Sequence, residues 1–205
     1  MAPRHKYTRD EMVTAALDIV RTRGESELTA KALAEFLGIS TQPVFTCFGT
    51  MDALRADVAD AAEALFDRYA EKGLESDVPF FGFGTQYIRF ARENPELYRM
   101  LFLTCDGKNT ALRTAEHAGA AVLPSLMHIY RLSVAEAKRY FRDVWLAAHG
   151  IAALVVSGSC PYTDEEIGQI LTGISLSVCK AVKEIPGYTD NTFDRDTAFR
   201  GIVGG

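Results

Sequence analysis

Between Leu28 and Leu54 the chain reads LTAKALAEFLGISTQPVFTCFGTMDAL, and this stretch leaves little freedom in how the polypeptide folds. Ala30, Leu33, Ala34 and Leu37 recur at helical spacing and give one narrow apolar face. Thr29 stands where an N-cap belongs, and Gly38 follows where a helix end asks for positive φ. Ile39 plugs the corner. Ser40 is placed to cap a second helix over residues 41–48, with Pro43 in its first turn, where a missing N–H costs little. Val44 and Phe48 are four apart and point inward, which turns Thr41, Gln42 and Thr46 outward. Gly49 breaks that helix and Thr50 caps the next. Two short helices around a glycine turn, the second carrying small polar residues near its start, have the layout of a helix-turn-helix whose second helix enters the major groove. An ordinary αα-hairpin has the same spacing, so the flanks decide between the two.

Those flanks run without a gap from Tyr7 to Leu54. Ala15-Ala16-Leu17 with Gly24, Leu28-Thr29, Leu33-Ala34, Gly38-Ile39-Ser40, Val44-Phe45 with Phe48, and Asp52 with Leu54 together resemble the DNA-binding head of the TetR family of bacterial transcriptional regulators. The resemblance implies an all-α fold: a three-helix helix-turn-helix head over residues 1–54, joined by a long helix to a helical ligand-binding and dimerisation body over 55–185. A loose tail is expected over 186–205. The resemblance also marks departures. The recognition-helix aromatic, usually Tyr, is Phe45; Thr46 and Cys47 stand where basic or His residues are common; Met51 stands where a Lys or Arg usually meets the DNA backbone.

Read in order, residues 1–7 carry Arg4, His5 and Lys6 without periodicity. They form a frayed terminus or, beside a helix-turn-helix, a basic arm along the DNA. Thr8 and Glu11 fit a capping box that opens a helix to Arg23. A long helix is expected over about 52–72, then an aromatic-rich one over 80–93 with Phe80, Phe81, Phe83, Tyr87 and Phe90, and a short one from Glu96 to about Thr104. Asp106-Gly107-Lys108 reads as a turn. Pro124 inside the segment 111–132 predicts a kink or a break. Ser133 with Glu136 is a second capping box, opening a helix over 134–157, and a last helix covers about 164–183.

Charge enters where partners are weighed. Net charge is −5, but residues 1–55 hold seven basic and seven acidic groups, so the head is neutral and the deficit lies in the body. That argues against a generally basic coat for nucleic acid while leaving room for a local face. The four cysteines, Cys47, Cys105, Cys160 and Cys179, lie far apart without metal-ligand spacing, as expected for free thiols in a reducing cytosol. No secretory signal is visible, and the apolar stretch 144–156 is too short to span a bilayer. A cytoplasmic protein with no membrane association is expected.

Of His5, His117, His128 and His149, none forms a metal-ligand pair; no serine sits in a nucleophile elbow. Gly82-Phe83-Gly84 is half a nucleotide fingerprint with no strand before it. No enzyme activity, cofactor or metal is expected. The candidate DNA contacts are Arg4, Lys6, Thr29, Lys31, Ser40, Thr41, Gln42, Pro43, Phe45, Thr46 and Thr50. In the body, Phe66, Tyr69, Tyr87, Phe90, Met100, Met127, Tyr130, Trp145 and His149 are candidate ligand contacts. Individually such residues are ordinary core; together they suit a cavity with apolar walls and a few polar tips. Trp145 with His149-Gly150, and Asn94-Pro95-Glu96-Leu97-Tyr98, resemble elements of one branch of TetR ligand domains. The resemblance implies a pocket beside the long fourth helix and near Tyr87, Met100, Met127 and His149, taking an unidentified, mainly apolar effector. It also implies a homodimer built on the last two helices, whose apolar faces include Ile151, Leu154, Val155, Ile167, Leu171, Ile174 and Val178. The operator would then be double-stranded and pseudo-palindromic, with half-sites ~34–36 Å apart. Two alternatives stay open: a dimeric regulator without an inducer, and a ligand-binding helical protein whose head binds DNA weakly or not at all.

Overall fold

The structure, a computed structural model, describes residues 7–104 and 110–203; the expected basic arm (Arg4, Lys6), Cys105 and the turn at Asp106-Gly107-Lys108 lie outside the described residues. Among the described residues there are ten α-helices and no strand. The first four follow the local signals. Helix α1 (Arg9–Arg23) opens on the Thr8/Glu11 capping box and buries Met12, Ala15, Ala16, Ile19 and Val20. In α2 (Ala30–Leu37), Thr29 Oγ1 accepts from Ala32 N at 3.0 Å, and Gly38 closes the helix at φ 64°, ψ 41°. Helix α3 (Gln42–Phe48) differs from expectation at its start. Ser40 does not cap it: Thr41 holds the N-cap position with an already helical backbone, and no side chain caps the helix. The turn is nucleated instead by the Thr41 carbonyl, which accepts from Val44 N at 3.1 Å. Val44 and Phe48 are buried against α1 and α4 (Met51–Leu74), which Thr50 caps.

Arg9 ties this unit together. Its Nε donates to Asp57 Oδ2 on α4 at 2.7 Å, its NH1 donates to the Cys47 carbonyl at 2.9 Å, and its guanidinium lies 4.6 Å from the Phe48 ring centre. One cation thus satisfies a carbonyl in the last turn of α3 and fixes that turn to α1 and α4.

Helix α4 packs along α5 (Pro79–Glu93). They meet where Gly73 faces Gly82: a Cβ on Gly82 would lie 2.2 Å from the Gly73 carbonyl oxygen, so the two backbones touch. Short α6 (Pro95–Tyr98) continues into a π-helical turn, Arg99–Leu103, and packs against α1. Glu96 reaches toward Gly24 at the end of α1, and Arg99 holds both Glu96 and the Val156 carbonyl at the end of α8.

Helix α7 (Thr110–Tyr130) runs through Pro124 without the expected break. Ala120 and Pro124 are both exposed, so the carbonyl that the proline ring cannot serve is open to water. Capping boxes open α8 (Val134–Val156) at Ser133/Glu136 and α9 (Asp164–Glu184) at Thr163/Glu166. Three of the seven residues of the apolar stripe assigned to the partner subunit are turned inward: Ile151, Ile167 and Leu171 are buried within the protomer, where α8 packs on α9 and on α5. The segment beyond Pro186 is more than loose chain. Arg139 and Asp143 on α8, bonded at 2.6 Å and largely buried, receive Tyr188: its hydroxyl donates to Asp143 at 3.1 Å and its ring lies under the guanidinium at 4.4 Å. A further helix, α10 (Arg195–Val203), follows, its start capped by Asp194, which accepts from Thr197 N at 2.7 Å.

Candidate functional site

The outer face of α3 carries Thr41, Gln42, Thr46 and a half-exposed Phe45. Thr46 Oγ1 donates back to the Gln42 carbonyl at 2.9 Å, which leaves Thr46 an acceptor toward solvent and the exposed Gln42 amide as the α3 group with both donor and acceptor to offer. Thr29 and Thr50 accept at their helix starts, so their hydroxyl protons point away from the backbone they cap. The basic groups nearby are engaged but loosely. Lys31 lies 3.8 Å from Glu35 and Arg55 lies 3.1 Å from Asp52, both pairs well exposed and therefore exchangeable at little cost. Pro43 lies in the first turn of α3 and Ser40 beside it, both on the same end of the molecule. Sequence reading did not single out Arg9, whose partners are 38 and 48 residues away.

The body residues divide into three groups. Phe66, Tyr69, Phe90 and Phe102 interlock edge to face, with Phe66 5.3 Å from Phe90 and 5.2 Å from Phe102. This is packing, and Phe66 and Phe102 also line a space of about 460 Å³ beside α4, facing Arg113, Glu116 and His117 of α7. Met100 and Met127 are half-buried against the same core.

The second group is polar and buried. Tyr87 and Tyr98 hydroxyls each lie 2.9 Å from His149 Nδ1 and 3.2 Å from one another. An imidazole nitrogen offers one lone pair, so one hydroxyl donates to Nδ1 and the other donates to its neighbour's oxygen. Every proton then has an acceptor only while His149 is neutral with its proton on Nε2. Burial pushes both tyrosines well above the usual phenol range and lowers His149 below the ordinary imidazole value. The sign of the pH dependence follows. A His whose folded pKa is depressed contributes stability that is complete above its unfolded value, ~6.5, and is lost as pH falls below it. Denaturant unfolding between pH 7.5 and 5 is therefore expected to fall more steeply with acid in the wild type than in His149→Asn, whose amide oxygen accepts at a similar position and cannot protonate. Equal slopes in the two proteins would remove His149 as the titrating group.

The third group opens onto space. A cleft of about 420 Å³ lies between α5, α8 and α9, with Tyr130 at its edge. Trp145 and Tyr130 line it; Phe66, Tyr69, Tyr87, Phe90, Met100, Met127 and His149 do not. Trp145 separates the cleft from the polar trio, its ring stacked on His149 at 5.2 Å. Among the described residues its indole N–H is the one buried side-chain polar atom without a hydrogen-bond partner. Sequence reading missed Phe80, Phe83, Gly84, Val144, Ala148, Leu171 and Cys179, which supply most of the wall. The spacing Phe80, Phe83, Gly84, Tyr87 on one face of α5 was the available signal.

Among the described residues no group of His, Cys, Asp and Glu could hold a metal ion, and no helix is long and apolar enough to cross a membrane. No curated protein matches the sequence closely enough to count as a relative. Residues 80–172 match the model of the tetracyclin repressor-like C-terminal domain. Among solved structures, the chain is similar to a member of the TetR family from Streptomyces coelicolor A3, at 20% identity and a TM-score of 0.60 over 81% of this chain and 96% of that one. It is equally similar in fold to a protein from Rhodococcus sp. assigned to the TetR-family transcriptional regulators, at 14% identity and a TM-score of 0.60 over 83% and 98% of the two chains. Residues 80–172 are thus similar in sequence to a tetracyclin repressor-like C-terminal domain, and the all-α architecture of the chain is the one seen in these two TetR-family structures.

Proposed function

We propose that the protein is a ligand-responsive repressor that grips a pseudo-palindromic operator as a homodimer and lets go when a small molecule enters its body. The observation that carries the reading is the outer face of α3, where short polar side chains project from a helix held rigidly by Arg9 and by the buried Val44 and Phe48. Gln42 suits bidentate pairing with adenine, with Thr41 and Thr46 beside it. Thr29, Lys31, Ser40 and Thr50, at neighbouring helix starts and turns, suit phosphates. Pro43 and Phe45 shape the face, and Arg4 and Lys6 precede it in the chain.

Two features support coupling between the halves. Helix α4 runs unbroken from the end of α3 into the body, and α6, which carries Tyr98 of the polar trio, packs on α1. A ligand that favours one arrangement of the body shifts the spacing of the two heads. Dimerisation is supported by exposed Leu146 and Leu154 on α8 and exposed Leu176 on α9, on the two helices that form a four-helix contact in a symmetric pair.

The test is a titration against the DNA flanking the protein's own coding region, at several salt concentrations, on a sample whose mass is measured by light scattering. A dimer mass and a shallow slope are expected, because each neutralised phosphate adds roughly −0.9 to the slope of log K against log salt and few cations face the DNA. Met51→Lys adds a cation at the start of α4 and is expected to tighten binding to any duplex and steepen the slope by about one unit. Gln42→Ala changes sequence preference instead. A monomer, or no binding to that DNA, would overturn the proposal.

A further inference from the structure

We infer that the cleft between α5, α8 and α9 selects an uncharged, compact, mainly apolar molecule and rejects anions and cations alike. The inference rests on reading the body as an effector domain and adds the chemical class that this chain can hold.

The space is about 420 Å³, room for about 14 water-sized groups at ~30 Å³ each, which suits two fused rings with a short substituent. No Asp, Glu, Lys, Arg or His lines it. Two of the three hydroxyls in its wall are committed, Ser175 to Tyr140 and Thr172 to the Gly168 carbonyl at 2.8 Å, and the third, on Tyr130, stands at the edge. A charged group brought inside would leave water and find no counter-charge.

The cleft opens into a wider groove between α5 and α9, with which it shares Phe81, Leu171, Thr172 and Leu176. That groove carries Arg92, paired with Asp164 at 3.0 Å, and Arg89, paired with Glu93 at 2.7 Å, both outside the cleft itself.

Three probes with one skeleton separate the possibilities by calorimetry on the full chain: 2-acetylnaphthalene, 2-naphthoate and 2-(aminomethyl)naphthalene. The neutral ketone is expected to bind, and both ions at least about 100-fold more weakly. Gly84→Leu fills the cleft without a clash at its root, since a Cβ there meets only Leu171 Cδ1 at 3.9 Å, and is expected to cost the ketone at least tenfold. Ala148→Leu, from the facing helix, repeats the test should that variant not fold. An ion binding as tightly as the ketone overturns the charge selection. Unchanged binding in both filled variants places the ketone elsewhere, and no binding by any probe discards the class. Operator binding by the probe-free wild type is measured in parallel and decides the regulator reading separately.

Discussion

Phe66→Ala is expected to lower the thermal midpoint by roughly 6–20 °C at matched protein concentration. The ring is 2% exposed and makes edge contacts with Tyr87, Phe90 and Phe102 at 5.7, 5.3 and 5.2 Å. Truncating a fully buried Phe costs about 3–5 kcal/mol, from lost transfer energy and the cavity left behind, and aromatic pairs add to it. For a chain of this length each kcal/mol moves the midpoint by ~2–4 °C. The site is the middle of α4, where helices α5 and the π-helical turn after α6 converge, so no flexible neighbour can collapse into the gap. Phe66→Leu keeps most of the volume and is expected to recover more than half of the loss. Scanning calorimetry decides: a drop smaller than ~3 °C for the alanine variant would show that the aromatic cluster is loosely packed.

Gly82→Ala and Gly84→Ala are expected to move stability in opposite directions, although they lie two residues apart in one helix. Glycine inside a helix costs roughly 0.5–1 kcal/mol relative to alanine, so both changes gain that much from the backbone. At Gly84 nothing opposes the gain, because the new methyl meets Leu171 at an ordinary 3.9 Å. At Gly82 the methyl would lie 2.2 Å from the Gly73 carbonyl oxygen, and a backbone atom cannot rotate away. Helices α4 and α5 must separate, and overpacking of this kind costs about 1–3 kcal/mol or more. Urea titrations of the two variants give the sign directly. A stabilised Gly82→Ala would mean that the two helices do not cross in contact.

These two glycines also mark where sequence reading stopped. Gly82-Phe83-Gly84 resembled a broken nucleotide fingerprint because spacing was all that could be read; one glycine serves a helix crossing and the other a cleft floor, and both roles depend on partners in other elements. The head was legible for the opposite reason. Thr8, Thr29 and Gly38 act on residues within a turn or two, and the i,i+4 spacing of Val44 and Phe48 alone marks the inward face of α3. Ser40 was the exception, displaced by the helical backbone of Thr41. Arg9 reads as one surface charge among several, since its partners Cys47 and Asp57 come near only after folding. Polar, Gly-rich composition hid the order beyond Pro186, although Asp194 before Thr197 is a local cap signal. The apolar faces of α8 and α9 were visible, but periodicity cannot say which half of a stripe packs within the protomer and which half stays open. The aromatic excess pointed to a cavity beside α4; Phe66 lines a space there, while Tyr130 and Trp145 line the cleft between α5, α8 and α9. Phe66 and Phe90 are as aromatic as Phe80 and Phe83, and only packing distinguishes a filled cluster from a wall.

Trp145 is the only tryptophan in the chain. It stands between the cleft and the Tyr87–Tyr98–His149 trio, with its ring stacked on the imidazole. Ultraviolet emission from the unlabelled protein therefore comes from one indole at the boundary between two events. A molecule entering the cleft changes what one face of that indole touches, and a proton arriving on His149 places a quenching imidazolium against the other. The spectrum separates them, because occupancy by an apolar molecule shifts the colour of the emission while protonation dims it. The protein carries its own two-channel optical gauge, readable in a cuvette and without a tag.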